Sequence, residues 1–174
     1  MPLKERVRFS VSSIFRIFED CLEFLSLLHE AGIVHGDVSP DNIFIKTEEP
    51  ISVDGSLPSA FPCCCSTTTA RAELTNEKLA SQNHLSFSEV AYADPEIVSG
   101  AKPSAQSDLY SLGVVLFELL VGSRPHPNPK SMADVGSLRN AKIPRMPTQL
   151  GIPPPIESFV RRLLYGEPTH RFAQ

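Results

Sequence analysis

Ser107-Asp108-Leu109-Tyr110-Ser111-Leu112-Gly113-Val114-Val115-Leu116-Phe117-Glu118-Leu119-Leu120-Val121-Gly122 is the longest nearly uninterrupted apolar segment of the chain. It predicts a helix over 108–121. Leu109, Leu112, Val114, Val115, Leu116, Phe117, Leu119 and Leu120 leave it hardly any polar side, so it belongs at the centre of a domain. Gly122 is the stop signal. The chain has 174 residues, 41% hydrophobic and 21% charged, enough for one domain with a real core. A net charge of -4 gives no global field for nucleic acid. No run of about 18 apolar residues is present to span a membrane. Nothing at the N-terminus reads as a secretory signal, so a cytoplasmic location is the default expectation.

Upstream, Val11, Ile14, Phe15, Phe18, Cys21, Leu22, Leu25 and Leu28 recur at three- and four-residue steps and predict a helix over 10–31, stopped by Gly32. Ile33-Val34 and Ile43-Phe44-Ile45 are short β-branched runs around a turn-rich centre, and Ile51 to Val53 is a third run ending at Asp54-Gly55. Periodicity dissolves over 56–87, and this stretch reads as a flexible insertion in which Cys63, Cys64 and Cys65 are a loop. Three adjacent cysteines with no CxxC and no nearby His do not make a metal site. The pattern allows short helices at 72–80 and 131–140, and 156–164 predicts a last amphipathic helix.

Chemistry concentrates in His35-Gly36-Asp37-Val38-Ser39-Pro40-Asp41-Asn42-Ile43-Phe44-Ile45. Phosphoryl transfer needs a carboxylate to orient the attacking hydroxyl and oxygen ligands to hold magnesium. A turn carrying Asp37 and Asn42 between two short strands supplies such a set, although an ordinary Asp-Pro-Asn loop would read the same in isolation.

This segment resembles the catalytic loop of eukaryotic-type protein kinases, His-Arg-Asp followed five residues later by Asn. Ala91-Tyr92-Ala93-Asp94-Pro95-Glu96 resembles the A-P-E end of their activation region, and 107–122 is very similar to the central helix of their C-terminal lobe. Arg171 follows Pro168 and Thr169, matching the arginine that pairs with the A-P-E glutamate. The order of the four segments is the family's.

The resemblance implies an α+β kinase-like fold, a mainly helical C-terminal lobe with a short β-hairpin region, over residues 1–174. It makes Asp37 the catalytic base, with Ser39 and Asn42 beside it. Asn42 and Asp54 become magnesium ligands, and Phe44 the floor beneath the adenine of ATP. His35, Glu96, Asp108 and Arg171 become structural: Asp108 holds the catalytic-loop backbone, or alternatively caps its own helix, and Glu96 pairs with Arg171. The implied partner is a protein substrate or a binding protein.

The departures matter as much. Gly36 stands where the family has arginine, which argues against control by a phosphate gathered there. Ser39 replaces a lysine, Asp94 replaces the alanine of A-P-E, and Asp54 is followed by Gly55 and not Phe, so that Asp54 also reads as a hairpin turn. No G-x-G-x-x-G and no lysine in a V-A-I-K-like strand occurs, and the expectation is a lobe without its N-terminal partner. Three functions remain open: a Ser/Thr protein kinase completed elsewhere, a pseudokinase scaffold, and a relative of small-molecule kinases.

Overall fold

Ser10 opens the first helix by accepting the Ser13 N–H on its hydroxyl, and α1 runs Val11–Glu30 in the computed structural model, which describes residues 9–45, 63–65, 91–126, 134, 137–138 and 140–172. Its buried stripe is Ile14, Ile17, Phe18, Cys21 and Leu25. Ile17 joins the expected set, and Val11 faces outward. At the far end Gly32 (φ 74°) donates to the His29 carbonyl and Ile33 to the Leu28 carbonyl, a Schellman closure. That closure explains a difference from the sequence expectation. Ile33-Val34 forms no strand, because the Ile33 amide is committed to the helix end and the His35 amide to Asp108.

After a 3-10 turn at Pro40–Asn42, β1 (Ile43–Ile45) pairs antiparallel with β2 (Cys63–Cys65), Phe44 opposite Cys64. The cysteine triplet is therefore strand, where the sequence predicts loop. Ile43 and Ile45 are buried, so β1 presents an unpaired backbone edge beside the core that must find hydrogen bonds. The chain answers it from a distant segment, which local periodicity cannot report. The other residues of the 56–87 stretch, the run at 51–53, Asp54 and the helix expected at 72–80 lie outside the described residues. The helix expected at 131–140 is described only in part.

The short helix α2 (Pro95–Val98) leads to α3 (Ala105–Val121). Ser104 and Ser107 form a reciprocal capping box, so Ser104 caps α3 and Asp108 does not. Freed from that duty, the Asp108 carboxylate is available to the loop before β1. Buried residues surround α3: Leu112, Val115 and Leu116 are all 2% exposed or less. It packs against α1 and against α4 (Pro154–Leu163). Gly113 allows the second contact, since a Cβ there would lie 2.8 Å from the Leu163 Cβ. Phe159 closes the α1–α4 side, edge-on to Phe18 at 5.7 Å. The described fold is mostly helical with one small sheet, α+β. None of its helices is long and apolar enough to cross a membrane.

Candidate active site

The site is built where α1 ends, α3 begins and β1 starts. Asp108 sits one turn into α3 and is 2% exposed. A carboxylate at that depth must be satisfied by donors, and three converge on it. Oδ2 accepts the His35 N–H at 2.8 Å and the His29 Nε2–H at 2.9 Å, and Oδ1 accepts the Gly36 N–H at 2.8 Å. The loop before Asp37 is thus hung on the central helix by its backbone. Gly36 lies at φ 73°, a left-handed conformation that glycine adopts without the strain a side chain would bring.

The loop then folds onto itself. His35 is buried and accepts the Asp37 N–H on Nδ1 at 3.2 Å, so its ring proton resides on Nε2. The Asn42 amide donates through Nδ2 both to the Asp37 carbonyl and to Asp37 Oδ2, each at 2.8 Å. The Ser39 carbonyl accepts the Asn42 N–H at 3.0 Å and closes the 3-10 turn. Ser39 itself is buried. Phe44 is 39% exposed between buried Ile43 and Ile45, so one apolar ring stands on the outer face of β1 next to Asn42.

Asp37, Asn42, His35, Asp108 and Phe44 are therefore brought to one edge, while Asp54 lies outside the described residues. The donors available to a metal at that edge are an amide oxygen and carboxylate oxygens. These are the hard ligands that magnesium takes, and they are unsuited to a thiolate- or imidazole-binding metal. Asn42 turns its amide nitrogen to Asp37. Of the two expected magnesium ligands, Asn42 lies at this edge. Among the described residues no three His, Cys, Asp or Glu side chains gather as a closed metal cluster.

A second junction holds the activation-region end in place, and it corrects an expectation. The carboxylate on Arg171 is Asp94 and not Glu96. Asp94 caps α2, Oδ1 accepting the Glu96 N–H at 3.0 Å, and Oδ2 accepts from Arg171 Nη1. The physical reason is position. The N-cap residue of α2 points inward and is 2% exposed, whereas Glu96 lies one step into the helix and is only half-buried. Arg171 also donates to the carbonyls of Tyr165, Gly166 and Gln106 and lies over the Tyr110 ring, 4.8 Å from its centroid. Burial, followed by the Asp94 charge, pushes the Tyr110 phenol well above its ordinary range.

Sequence reasoning missed a third contact. Tyr92 donates its hydroxyl to Glu118 Oε2 at 2.5 Å, and Arg124 lies over the Tyr92 ring, 5.4 Å from its centroid. Burial and then the Glu118 hydrogen bond raise the Tyr92 pKa strongly, and the Asp41 charge adds to the rise. The available signal was Glu118, the one charged residue in the apolar stretch 109–121, which needs a partner wherever it is buried.

Comparison with known proteins gives the family. The protein kinase domain family model matches residues 2–174. Serine/threonine-protein kinase PknL of Mycobacterium tuberculosis is 27% identical over 173 residues, covering 98% of this chain and 40% of that protein. Serine/threonine-protein kinase PkaB of Streptomyces coelicolor is 31% identical over 118 residues, 68% of this chain and 27% of that protein. Eukaryotic translation initiation factor 2-alpha kinase 1 of Mus musculus is 31% identical over 153 residues, 87% of this chain and 23% of that protein. The chain spans less than half the length of each of these relatives. With the family match running nearly end to end, the chain belongs to the eukaryotic-type protein kinase family.

Proposed function

We propose that this chain supplies the catalytic half of an ATP-dependent Ser/Thr protein phosphotransferase. The observation that carries the reading is the double hydrogen bond from Asn42 to Asp37, in a loop fixed at its root by Asp108. Asp37 orients the attacking hydroxyl and takes its proton on a carboxylate oxygen. Asn42 holds that carboxylate in one rotamer and offers an oxygen to magnesium, which Asp54 would share. Magnesium, when bound, neutralises phosphate charge during transfer. Phe44 supplies an apolar face for the adenine, and Ser39 lines the turn beside the base. His35 and Asp108 keep the loop from relaxing, so the reacting groups are held in register before substrate arrives.

The protein-substrate class rests on the serine/threonine-protein kinase names of the relatives. The pseudokinase reading draws its support from Gly36 and Gly55, where the family has a phosphate-gathering arginine and a packing phenylalanine. One experiment separates them. The chain is joined behind the N-terminal lobe of PknL, and phosphate transfer from ATP to a generic protein substrate is followed. Catalysis predicts transfer that Asp37→Asn reduces by at least about a hundredfold, with none from the 174-residue chain alone. Stable ATP binding with no transfer by the joined protein would favour the scaffold. Transfer to small hydroxyl compounds but never to protein would favour the small-molecule relatives.

A further inference from the structure

An open pocket of about 570 Å³ lies away from the catalytic edge, between residues 140–146 and the turn that follows α4. Its volume is within the range of small-ligand sites. Lys142, Arg145, Arg161 and His170 line it, and Glu167 is the one acidic residue in the lining. In a chain of net charge -4 this is a local reversal of sign. Among the described residues neither Lys142 nor Arg145 has a carboxylate within ion-pair distance.

The backbone reinforces that bias. The Ile143 carbonyl accepts from Arg161 Nη1 at 3.0 Å, and the Tyr165 and Gly166 carbonyls accept from Arg171 at 2.6 and 3.2 Å. Three lining carbonyls that could have served a cation are thus occupied by guanidinium groups, and the wall presents donors. The Arg161 bond also fixes its fork in place, which lowers the ordering needed to grip an anion in two-point fashion. The Tyr165 and His170 rings meet edge-on, 6.2 Å between centroids, giving an apolar shoulder for whatever carries the charge.

We infer that this pocket binds the phosphate group of a phosphate monoester. Arg161 is the fixed donor, Lys142 and Arg145 supply charge from the exposed side, and the Tyr165–His170 shoulder contacts the carrier. The site shares no residue with the catalytic loop and does not depend on the catalytic reading.

The test titrates the full chain by calorimetry with a phosphoserine peptide, its unphosphorylated twin, and inorganic phosphate. Saturable one-site binding of the phosphopeptide is expected, with none of the twin. Lys142→Ala with Arg145→Ala should weaken it at least about tenfold. Lys142→Arg should retain it, Glu167→Gln should tighten it, and Asp37→Asn should leave it unchanged. Equal binding of inorganic phosphate would identify a free anion as the source, and preference for the peptide a protein-borne one. Both outcomes support the site. Equal binding of the unphosphorylated twin, absence of phosphate binding, or binding untouched by the double substitution would overturn it, as would loss of binding in Asp37→Asn. Lys142 and Arg145 are exposed, so their variants should melt with the parent, and the melting curve checks this.

Discussion

Two buried aspartates, each 2% exposed, organise two junctions of the fold by different means. Asp108 is satisfied by two backbone amides and one histidine. Asp94 divides its oxygens between a helix-cap amide and one guanidinium. Every residue type but proline carries a backbone amide donor, so the two backbone bonds to Asp108 do not depend on which side chains stand at 35 and 36. The Asp94 junction rests on a single cation and fails with it. One device tolerates sequence drift, and the other demands that two distant positions be kept together.

The largest effect should come from breaking the dependent junction. Arg171→Ala and Asp94→Ala should each cost about 3–5 kcal/mol by leaving a buried charge unpaired, and the double variant less than their sum. Chemical denaturation of the three variants checks this. Glu96→Ala, whose carboxylate is not the partner, should cost well under either. If it matches Asp94→Ala, the assignment of the pair is wrong.

Asp108→Asn tests the tolerant junction. The new NH₂ must face an amide N–H, which should cost about 2–3 kcal/mol and loosen the loop, seen as faster hydrogen exchange at His35 and Gly36. No change in exchange would show that the carboxylate does not anchor the loop. Gly113→Ala asks whether packing between α3 and α4 is as tight as the 2.8 Å approach implies. Overpacking should outweigh the gain in helix propensity and leave a net loss of about 1–2 kcal/mol.

Raised phenol pKa values give the smallest effect and a pH signature. Tyr92 and Tyr110 hold their protons above the ordinary tyrosine value of 10.0, so the unfolded chain ionises first. Their contribution is fully present below pH 10 and falls as pH rises beyond it. Tyr92→Phe should lower stability at neutral pH by about 1 kcal/mol through the lost Glu118 bond and flatten part of the alkaline decline.

Much of this architecture is legible in the sequence because it depends on local pattern. The apolar run of α3, the stripe of α1 and the stop at Gly32 each state their element in adjacent residues. Catalytic-loop spacing is local too, and Asp37 and Asn42 meet as a five-residue separation in a turn allows. What escaped was tertiary. Cys63–Cys65 carries no strand pattern of its own and pairs only because β1 leaves an edge open. Asp94 and Glu96 are two residues apart and chemically alike, so only the direction of the α2 cap decides which meets Arg171. Resemblance favoured Glu96, since the family has alanine where this chain has Asp94. The Tyr92–Glu118 bond spans 26 positions and could be suspected only from a lone charge in an apolar helix.

The reach of Arg171 has a kinetic consequence. Its guanidinium joins the Asp94 cap, the Gln106 carbonyl and the turn at Tyr165–Gly166, and its bond to Asp94 bridges 77 positions of sequence. Contacts so distant along the chain are late to form, because loop closure must be complete before they yield any gain. Losing the junction should therefore leave the refolding rate nearly unchanged and speed unfolding instead. Arg171 would then govern how long the folded lobe lasts and have little say in how fast it is made.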